Sequence, residues 1–183
     1  MSTPGTRPGL DLSRLSPGDA VVALRSYPRR FRGLLTTFGD DERPDDLLNR
    51  PGADGFSALV HAQGVAEDLA VLAGALRSIG RDHRPVLAAD AVGALRVFGD
   101  RVPSGDRAEH RDADAVLDRL SREATALADQ AEGTPADGWA RTGVEAGGTG
   151  RELTALDVVR AAVRRGAQGL RTVEQALAAA RRP

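Results

Sequence analysis

The stretch from residue 153 to residue 180, LTALDVVRAAVRRGAQGLRTVEQALAAA, decides the fold. Apolar and small residues recur in it every seven positions in two registers, as in helices that pack side by side in a bundle. Thr154 and Asp157 have the spacing of a capping box, so we predict that a helix begins near Thr154 and runs to the C-terminus. The two registers are Leu156, Val163, Leu170 and Leu177, and Val159, Gly166, Val173 and Ala180.

Three further long helices are predicted upstream. Ser16 is a typical N-cap for the first, and Pro28 inside that helix predicts a kink or a restart near Tyr27. The second covers about 57–82 and the third about 112–132, because apolar residues recur in both at helical spacing. Four main helices with a two-register apolar face favour an antiparallel four-helix bundle.

The connections between these helices are long and rich in Gly and Pro. We expect loops at 39–55, 83–111 and 133–152. Inside the longest of them, residues 88–98 have the pattern of a short helix, and a connection of this length is typical of a lid or a binding loop. Residues 1–14 are predicted to be a flexible segment, and residues 15–183 a single domain.

Composition excludes several kinds of protein. The 183 residues have a net charge of −1 and 3% aromatic residues, which favours helices packed through Leu, Val and Ala and gives no indication of nucleic acid or membrane partners. The chain has no cysteine, so disulfides, thiolate metal sites and a cysteine nucleophile are excluded. It lacks both a signal-peptide pattern and an apolar run of about 20 residues, so we expect a cytoplasmic protein.

Two short motifs resemble those of a known superfamily. Phe56-Ser57-Ala58-Leu59-Val60-His61-Ala62 opens the second helix, and Trp139-Ala140-Arg141-Thr142-Gly143 precedes the last. Together they resemble the DinB-like four-helix bundles, in particular the actinobacterial branch with mycothiol-dependent maleylpyruvate isomerase and related mycothiol transferases. The resemblance implies an all-α DinB-like antiparallel four-helix bundle with long loops, a pocket between the second and last helices, and often a homodimer.

The same resemblance implies a divalent metal held by three histidines, but the matching positions here are Gly64, Arg164 and Gln168. Arginine cannot serve as a ligand, because it does not lose its proton. If His61 were a ligand, Glu67 or Asp68 would have to complete the set. We therefore predict no metal and no cofactor, with a divalent metal and mycothiol as the alternative.

Several residues of the expected pocket have two interpretations. His61, Gly64 and Asp68 lie along one stripe of the second helix, at spacings of three and four. His61 is either a half-buried ring or a general acid/base, and Gly64 marks the close approach of either a helix or a ligand. Trp139 either closes one end of the core or contacts a substrate.

The last helix offers cations for the same pocket. Arg160, Arg164, Arg165 and Arg171 form either a solvated basic face or, for Arg164 beside Gln168, a site for an anionic oxygen. Our leading hypothesis is a small-molecule protein that binds an organic, possibly anionic, substrate or isomerises, adds to or cyclises it without a metal. We assign catalysis to His61 as acid/base, to Asp68 as the residue that orients it, and to Arg164 and Gln168 as partners of an anionic oxygen. Substrate binding is assigned to Gly64, Arg160 and Trp139.

Two alternatives remain open at this stage. One is a metal-dependent mycothiol S-transferase or isomerase, as the resemblance implies. The other is a non-catalytic homodimeric interaction protein, because helix faces rich in Ala and Gly allow close approach. An open pocket would favour a protein that binds or converts a small molecule, and a filled core would favour the interaction protein.

Overall fold

The computed structural model describes residues 12–39, 42–95, 110–146 and 150–182. Within these ranges the chain forms six α-helices, one 3-10 helix (Ala136–Ala140) and three short strands. The helices are α1 (Pro17–Thr36), α2 (Pro44–Asn49), α3 (Ala58–Arg81), α4 (Ala89–Leu95), α5 (Ala113–Glu132) and α6 (Ala155–Ala180). The strands are β1 (Val86–Leu87), β2 (Thr142–Glu145) and β3 (Glu152–Thr154).

Four long helices form the bundle, as predicted. α3 packs on α5 and α6, and α1 packs on the same two helices, so α1 lies diagonally across from α3. Arg25 of α1 pairs with Asp129 and Glu132 near the end of α5, and Arg32, further along α1, is 3.8 Å from Asp118 nearer the start of α5, so these two helices are antiparallel. Val65 and Asp68 of α3 meet Gly169 and Arg165 of α6 in the reverse order, so this pair is antiparallel too.

The other two neighbouring pairs are parallel. Arg111, just before α5, donates to Gln63 near the start of α3, and Gln130 near the end of α5 meets the backbone of Arg77 near the end of α3. The chain therefore runs up in α1, down in α3, down in α5 and up in α6. A connection between two parallel helices must return along the bundle, which accounts for the length of the 83–111 segment.

The predicted helix starts are confirmed by their caps. The Ser16 and Ser57 side chains accept from the backbone N–H three residues ahead, and Thr154 with Asp157 forms a complete capping box. α1 continues through Pro28 without a restart. The expected loops contain the short helices α2 and α4 and the small sheet, in which β1 pairs parallel with β2 and β2 antiparallel with β3.

The attached part of the chain begins earlier than residue 15. Leu12 is buried in the core, and the carbonyls of Ser13 and Leu15 accept from Arg160 of α6. Residues 12–14 therefore lie against the bundle, whereas the rest of the predicted flexible segment falls outside the described residues. The same applies to residues 96–98 of the predicted short helix.

The core is closed where α6 meets α1 and α3. The two predicted registers of α6 are buried except for Leu156, which is half-buried. At Gly166 an added Cβ would lie closer than 3.0 Å to the ring of Tyr27, and at Gly169 it would lie equally close to Val65. These two glycines let an aromatic ring from α1 and a valine from α3 contact the α6 backbone directly. The Tyr27 hydroxyl donates to the Val163 carbonyl at 2.5 Å.

Among the described residues, one helix has the length and mean hydropathy, 1.2, of a membrane span. It is α3, and 67% of its most apolar window is buried inside the bundle. Its contacts with α5 and α6 place it in the core of the bundle.

Candidate small-molecule site

His61 lies in the first turns of α3, and its side chain is 10% exposed. Its Nε2 is 2.9 Å from Oδ2 of Asp54, a residue of the preceding turn, and its ring meets Phe56 edge-on. The two atoms lie within hydrogen-bond distance, but Nε2 makes no hydrogen bond of good geometry with a described residue.

Burial is the main influence on the titration of His61. It lowers the pKa of the imidazole below its ordinary value of 6.5, and the charge of Arg165 lowers it further, while Asp54 opposes both. The ring is therefore neutral at pH 7. A neutral imidazole with a free nitrogen can accept a proton, which is the property required of a general base.

Asp68 is paired with Arg165, an arginine for which no role in the pocket was predicted. The Arg165 Nε donates to Asp68 Oδ2, and the two side chains are 14% and 1% exposed. Consecutive helical residues point about 100° apart, so Arg164 cannot face the same carboxylate. A buried ion pair of this kind holds α3 and α6 in register, and it leaves Asp68 unsuited to the predicted role of orienting His61.

The predicted catalytic residues do not form one cluster. Because α3 and α6 are antiparallel and Asp68 is level with Arg165, His61 is level with Thr172 of α6. Arg164 lies eight residues from Thr172, or about 12 Å along the bundle at 1.5 Å per residue. The structure therefore separates His61 from Arg164, and Arg165 provides the cation that acts on the imidazole.

Arg164 faces a cavity of about 350 Å³ at the lower half of α6. We call it the Arg164 cavity. Arg160 lies in the same wall, one helical turn earlier, so the two predicted arginines do come together. The remaining described lining residues are Leu12, Ser13, Leu95, Glu145, Arg151, Leu153, Asp157 and Ala161.

The two arginines differ in their surroundings. Arg160 is fixed, because its guanidinium donates to the carbonyl oxygens of Ser13 and Leu15. Arg164 is half-buried and has no hydrogen bond or ion pair with any described residue. Asp157 is engaged in the capping box of α6, and Glu145 is a buried carboxylate. Of the three arginines in the lining, Arg160 is fixed, Arg164 is free of partners among the described residues, and Arg151 is exposed.

The other predicted residues lie elsewhere. Gly64 is buried on α3 and Gln168 is half-buried on α6, near the level of the Asp68 pair. Trp139 lies in the 3-10 helix and packs partly buried against the core. This position fits the structural interpretation of Trp139, and its predicted contact with a substrate stays a prediction.

Sequence reasoning missed Arg165, Asp54 and Glu145. A signal for Arg165 was present, because it stands between Ala162 and Gly169 at spacings of three and four. Those small residues mark the face that approaches α3, so Arg165 and not Arg164 lies next to that face. Asp54 and Glu145 follow from the path of the chain before α3 and from strand pairing, which residue spacing does not specify.

The donor set does not fit a metal of the kind that the resemblance implies. The described residues contain no group of three or more His, Asp or Glu side chains placed to hold an ion. The three histidines lie apart: His61 is on α3, His83 follows the end of α3, and His110 precedes α5, where it is 3.4 Å from Asp45. Asp68, the acid nearest to the expected site, is occupied by Arg165.

The fold is matched by a solved structure, YfiT from Bacillus subtilis, described as a probable metal-dependent hydrolase with an unusual four-helix bundle topology. The match has a TM-score of 0.68 at 12% sequence identity and covers 93% of this chain and 91% of YfiT. The fold is a four-helix bundle with the topology of YfiT. No protein-family model and no curated protein matches the chain. At this identity the likeness establishes the fold alone.

Proposed function

We propose that the chain is a small-molecule protein that binds a small organic anion in the Arg164 cavity and does not use a metal to do so. One observation carries this proposal: Arg164 is a half-buried arginine that lines the cavity, and its guanidinium has no partner among the described residues. Taking a cation partly out of water costs free energy that a hydrogen-bonded anion offsets.

The surroundings of Arg164 support an organic ligand. Arg160 is held by two carbonyls, so a second cation is already oriented in the wall. Leu12, Leu153 and Ala161 provide apolar surface, and the volume of about 350 Å³ lies at the lower end of the range for small-molecule sites. Guanidinium groups bind carboxylates through two parallel hydrogen bonds, which favours a carboxylic acid with a short apolar body.

The test is a calorimetric titration of the purified protein with a panel of small monocarboxylic acids. We expect at least one to bind saturably and Arg164→Gln to weaken that binding about tenfold or more, as for loss of a charged hydrogen-bond donor. Arg171→Gln is the matched control, because Arg171 is an exposed arginine on the same helix. Equal affinity in the wild type and in Arg164→Gln would refute the proposal.

A second candidate function is acid–base chemistry at His61, such as isomerisation, addition or cyclisation of an organic substrate. Its support is the neutral, buried imidazole whose Nε2 lacks a hydrogen bond. Because Asp54 covers Nε2, proton transfer there requires the Asp54 carboxylate to move aside. Loss of turnover in His61→Gln, with binding at Arg164 unchanged, would establish this role; unchanged turnover would exclude it.

The metal-dependent alternative has a direct test. A mycothiol S-transferase, isomerase or hydrolase of this superfamily would retain its ion through purification. Elemental analysis that finds one tightly held divalent ion per chain would overturn the metal-free proposal. The interaction-protein alternative and the proposed cytoplasmic location are tested by sedimentation of the purified chain and by fractionation of the producing cells.

A further inference from the structure

A second cavity lies at the lower end of the bundle, where α3 and α5 end and α6 begins. Its volume is about 450 Å³, and three of its lining residues are arginines, Arg77, Arg81 and Arg141. None of the described residues that line it is acidic. We call it the end cavity. It belongs to neither the Arg164 cavity nor the His61 site.

None of the three cations forms an ion pair with a described residue, and Asp82 lines a neighbouring cavity together with Arg81 and Arg141. Arg77 and Arg81 stand four residues apart on α3, so they share one face, and neither has a hydrogen bond or ion pair with a described residue. Arg141 uses one guanidinium nitrogen to donate to the Gly80 carbonyl, at 2.8 Å. The nearby acids at the end of α5 are turned to the other side of that helix, where both pair with Arg25.

Like charges at this spacing repel each other, and because all three arginines are exposed, water and salt screen much of that repulsion. The end of α3 offers a partial compensation, because the last carbonyls of a helix attract cations. That effect suits Arg81, in the last turn of α3, but Arg77 lies one turn further from the helix end. An anion in the cavity would compensate all three guanidinium groups together.

The other walls set the character of the ligand. Leu76 and Ala155 are buried, Pro135 adds apolar surface, and Gln130 and Thr134 are polar residues of the lining. Every lining residue belongs to the described helices, to the 3-10 helix or to the short turns beside it. The cavity is therefore built on rigid elements and has the size of a site for a small organic molecule.

We propose that the end cavity binds a small organic molecule with two or more negative charges, such as a phosphomonoester or a dicarboxylate, through Arg77, Arg81 and Arg141. Three guanidinium groups without an acid fit a multiply charged oxyanion better than a single carboxylate. The apolar wall at Leu76 and Ala155 would hold the organic part of the molecule.

The experiment uses the full chain and four probes. Phenyl phosphate and phthalate have both a multiple charge and an apolar ring, inorganic phosphate has only the charge, and benzyl alcohol has only the ring. Binding is followed by NMR amide shifts of Gly133, Thr134 and Gly138. We expect phenyl phosphate or phthalate to shift these amides saturably, with weaker binding of inorganic phosphate and none of benzyl alcohol.

Variants then identify the cations. Arg77→Gln and Arg81→Gln should each weaken binding about tenfold, since each removes one charged hydrogen-bond donor. Neither side chain has a described partner, so both variants should fold, which the unchanged amide spectrum away from the cavity verifies. Arg171→Gln is again the control and should leave binding unchanged. Arg141→Gln is avoided because Arg141 also fixes the end of α3.

Three results would overturn the proposal. The first is that neither organic anion shifts the amides saturably at about 10 mM, a dissociation constant that corresponds to about −2.7 kcal/mol. The second is that the double variant Arg77→Gln/Arg81→Gln binds with the affinity of the wild type, and the third is that Arg171→Gln weakens binding as much as Arg77→Gln or Arg81→Gln does. The outcome is independent of the Arg164 cavity. A probe bound there would shift Leu153 and would be lost in Arg164→Gln, whereas binding in the end cavity persists in that variant.

Discussion

The two faces of α6 differ in what they contact. One face has glycines at 166 and 169, against which Tyr27 and Val65 pack so closely that no Cβ fits. The flank beside it has consecutive arginines, of which Arg165 is locked to a buried carboxylate and Arg164 faces a cavity without a partner. The glycine face stabilises the bundle through close packing, whereas Arg164 has no evident role in stability. Because the fold does not require the charge of Arg164, this residue can bind a ligand without loss of stability.

The largest effect should come from breaking the ion pair between Asp68 and Arg165. Asp68→Asn leaves the guanidinium of Arg165 without its carboxylate, and we expect a loss of about 3 kcal/mol in the free energy of unfolding. Arg164→Gln should change it by less than about 0.5 kcal/mol. Urea denaturation of both variants measures the difference. Similar losses in the two would show that the neighbouring arginines do not differ as the structure indicates.

A slightly smaller effect is expected on the glycine face. Gly166→Ala forces a Cβ into the ring of Tyr27, and we expect a loss of about 2 kcal/mol through overpacking. Gly74→Ala on α3 is the matched control, since a Cβ there meets no atom within 4 Å. That control should gain about 0.5 kcal/mol, because alanine favours a helix more than glycine does. If both substitutions stabilise the protein, the close packing at Gly166 is wrong.

The hydroxyl of Tyr27 sharpens the same comparison. It is buried, and burial raises its pKa to about 12, so it remains a donor to the Val163 carbonyl at every pH of interest. Tyr27→Phe retains the ring over Gly166 and removes only the hydrogen bond. We expect a loss of about 1 kcal/mol by thermal or urea unfolding. A loss as large as that of Gly166→Ala would assign the stability of this face to the hydrogen bond instead of to packing.

The smallest effect concerns pH. The folded pKa of His61 lies below its unfolded value, so the folded protein binds fewer protons between the two values and stability falls as pH drops below about 6.5. His61→Gln should remove that part of the pH dependence, whereas His83→Gln, at an exposed histidine, should retain it. Melting temperatures of the three proteins between pH 8 and pH 5 test this. An unchanged slope in His61→Gln would contradict the burial of the ring.

Much of the fold could be predicted because its signals are local. A capping residue and a seven-residue repeat depend on neighbours along the chain, and Ser16, Ser57 and Thr154 each begin a helix where the pattern placed it. The directions of the helices could not be predicted from the same signals. They depend on contacts such as Arg111 with Gln63, which join residues 48 positions apart.

The candidate site was harder to predict than the fold. An error of one residue does not move a helix, but it rotates a side chain by about 100°, which is the difference between Arg164 and Arg165. The proposed joint action of His61 and Arg164 depended on the position of each residue along two antiparallel helices, which contacts between the helices, such as that of Asp68 with Arg165, define. The three strands are too short to leave a periodic pattern, so Glu145 and the Arg164 cavity had no signal in the sequence.

The parallel course of α1 and α6 has a practical consequence. Residues 17 and 180 lie at opposite ends of the bundle, since α6 extends over 26 residues, or about 39 Å. A circular permutant that joins the two would need a linker of about 12 extended residues. Fluorophores attached at residues 17 and 180 would therefore be far apart in the native protein. They would approach each other only if the helices moved along one another or the bundle opened.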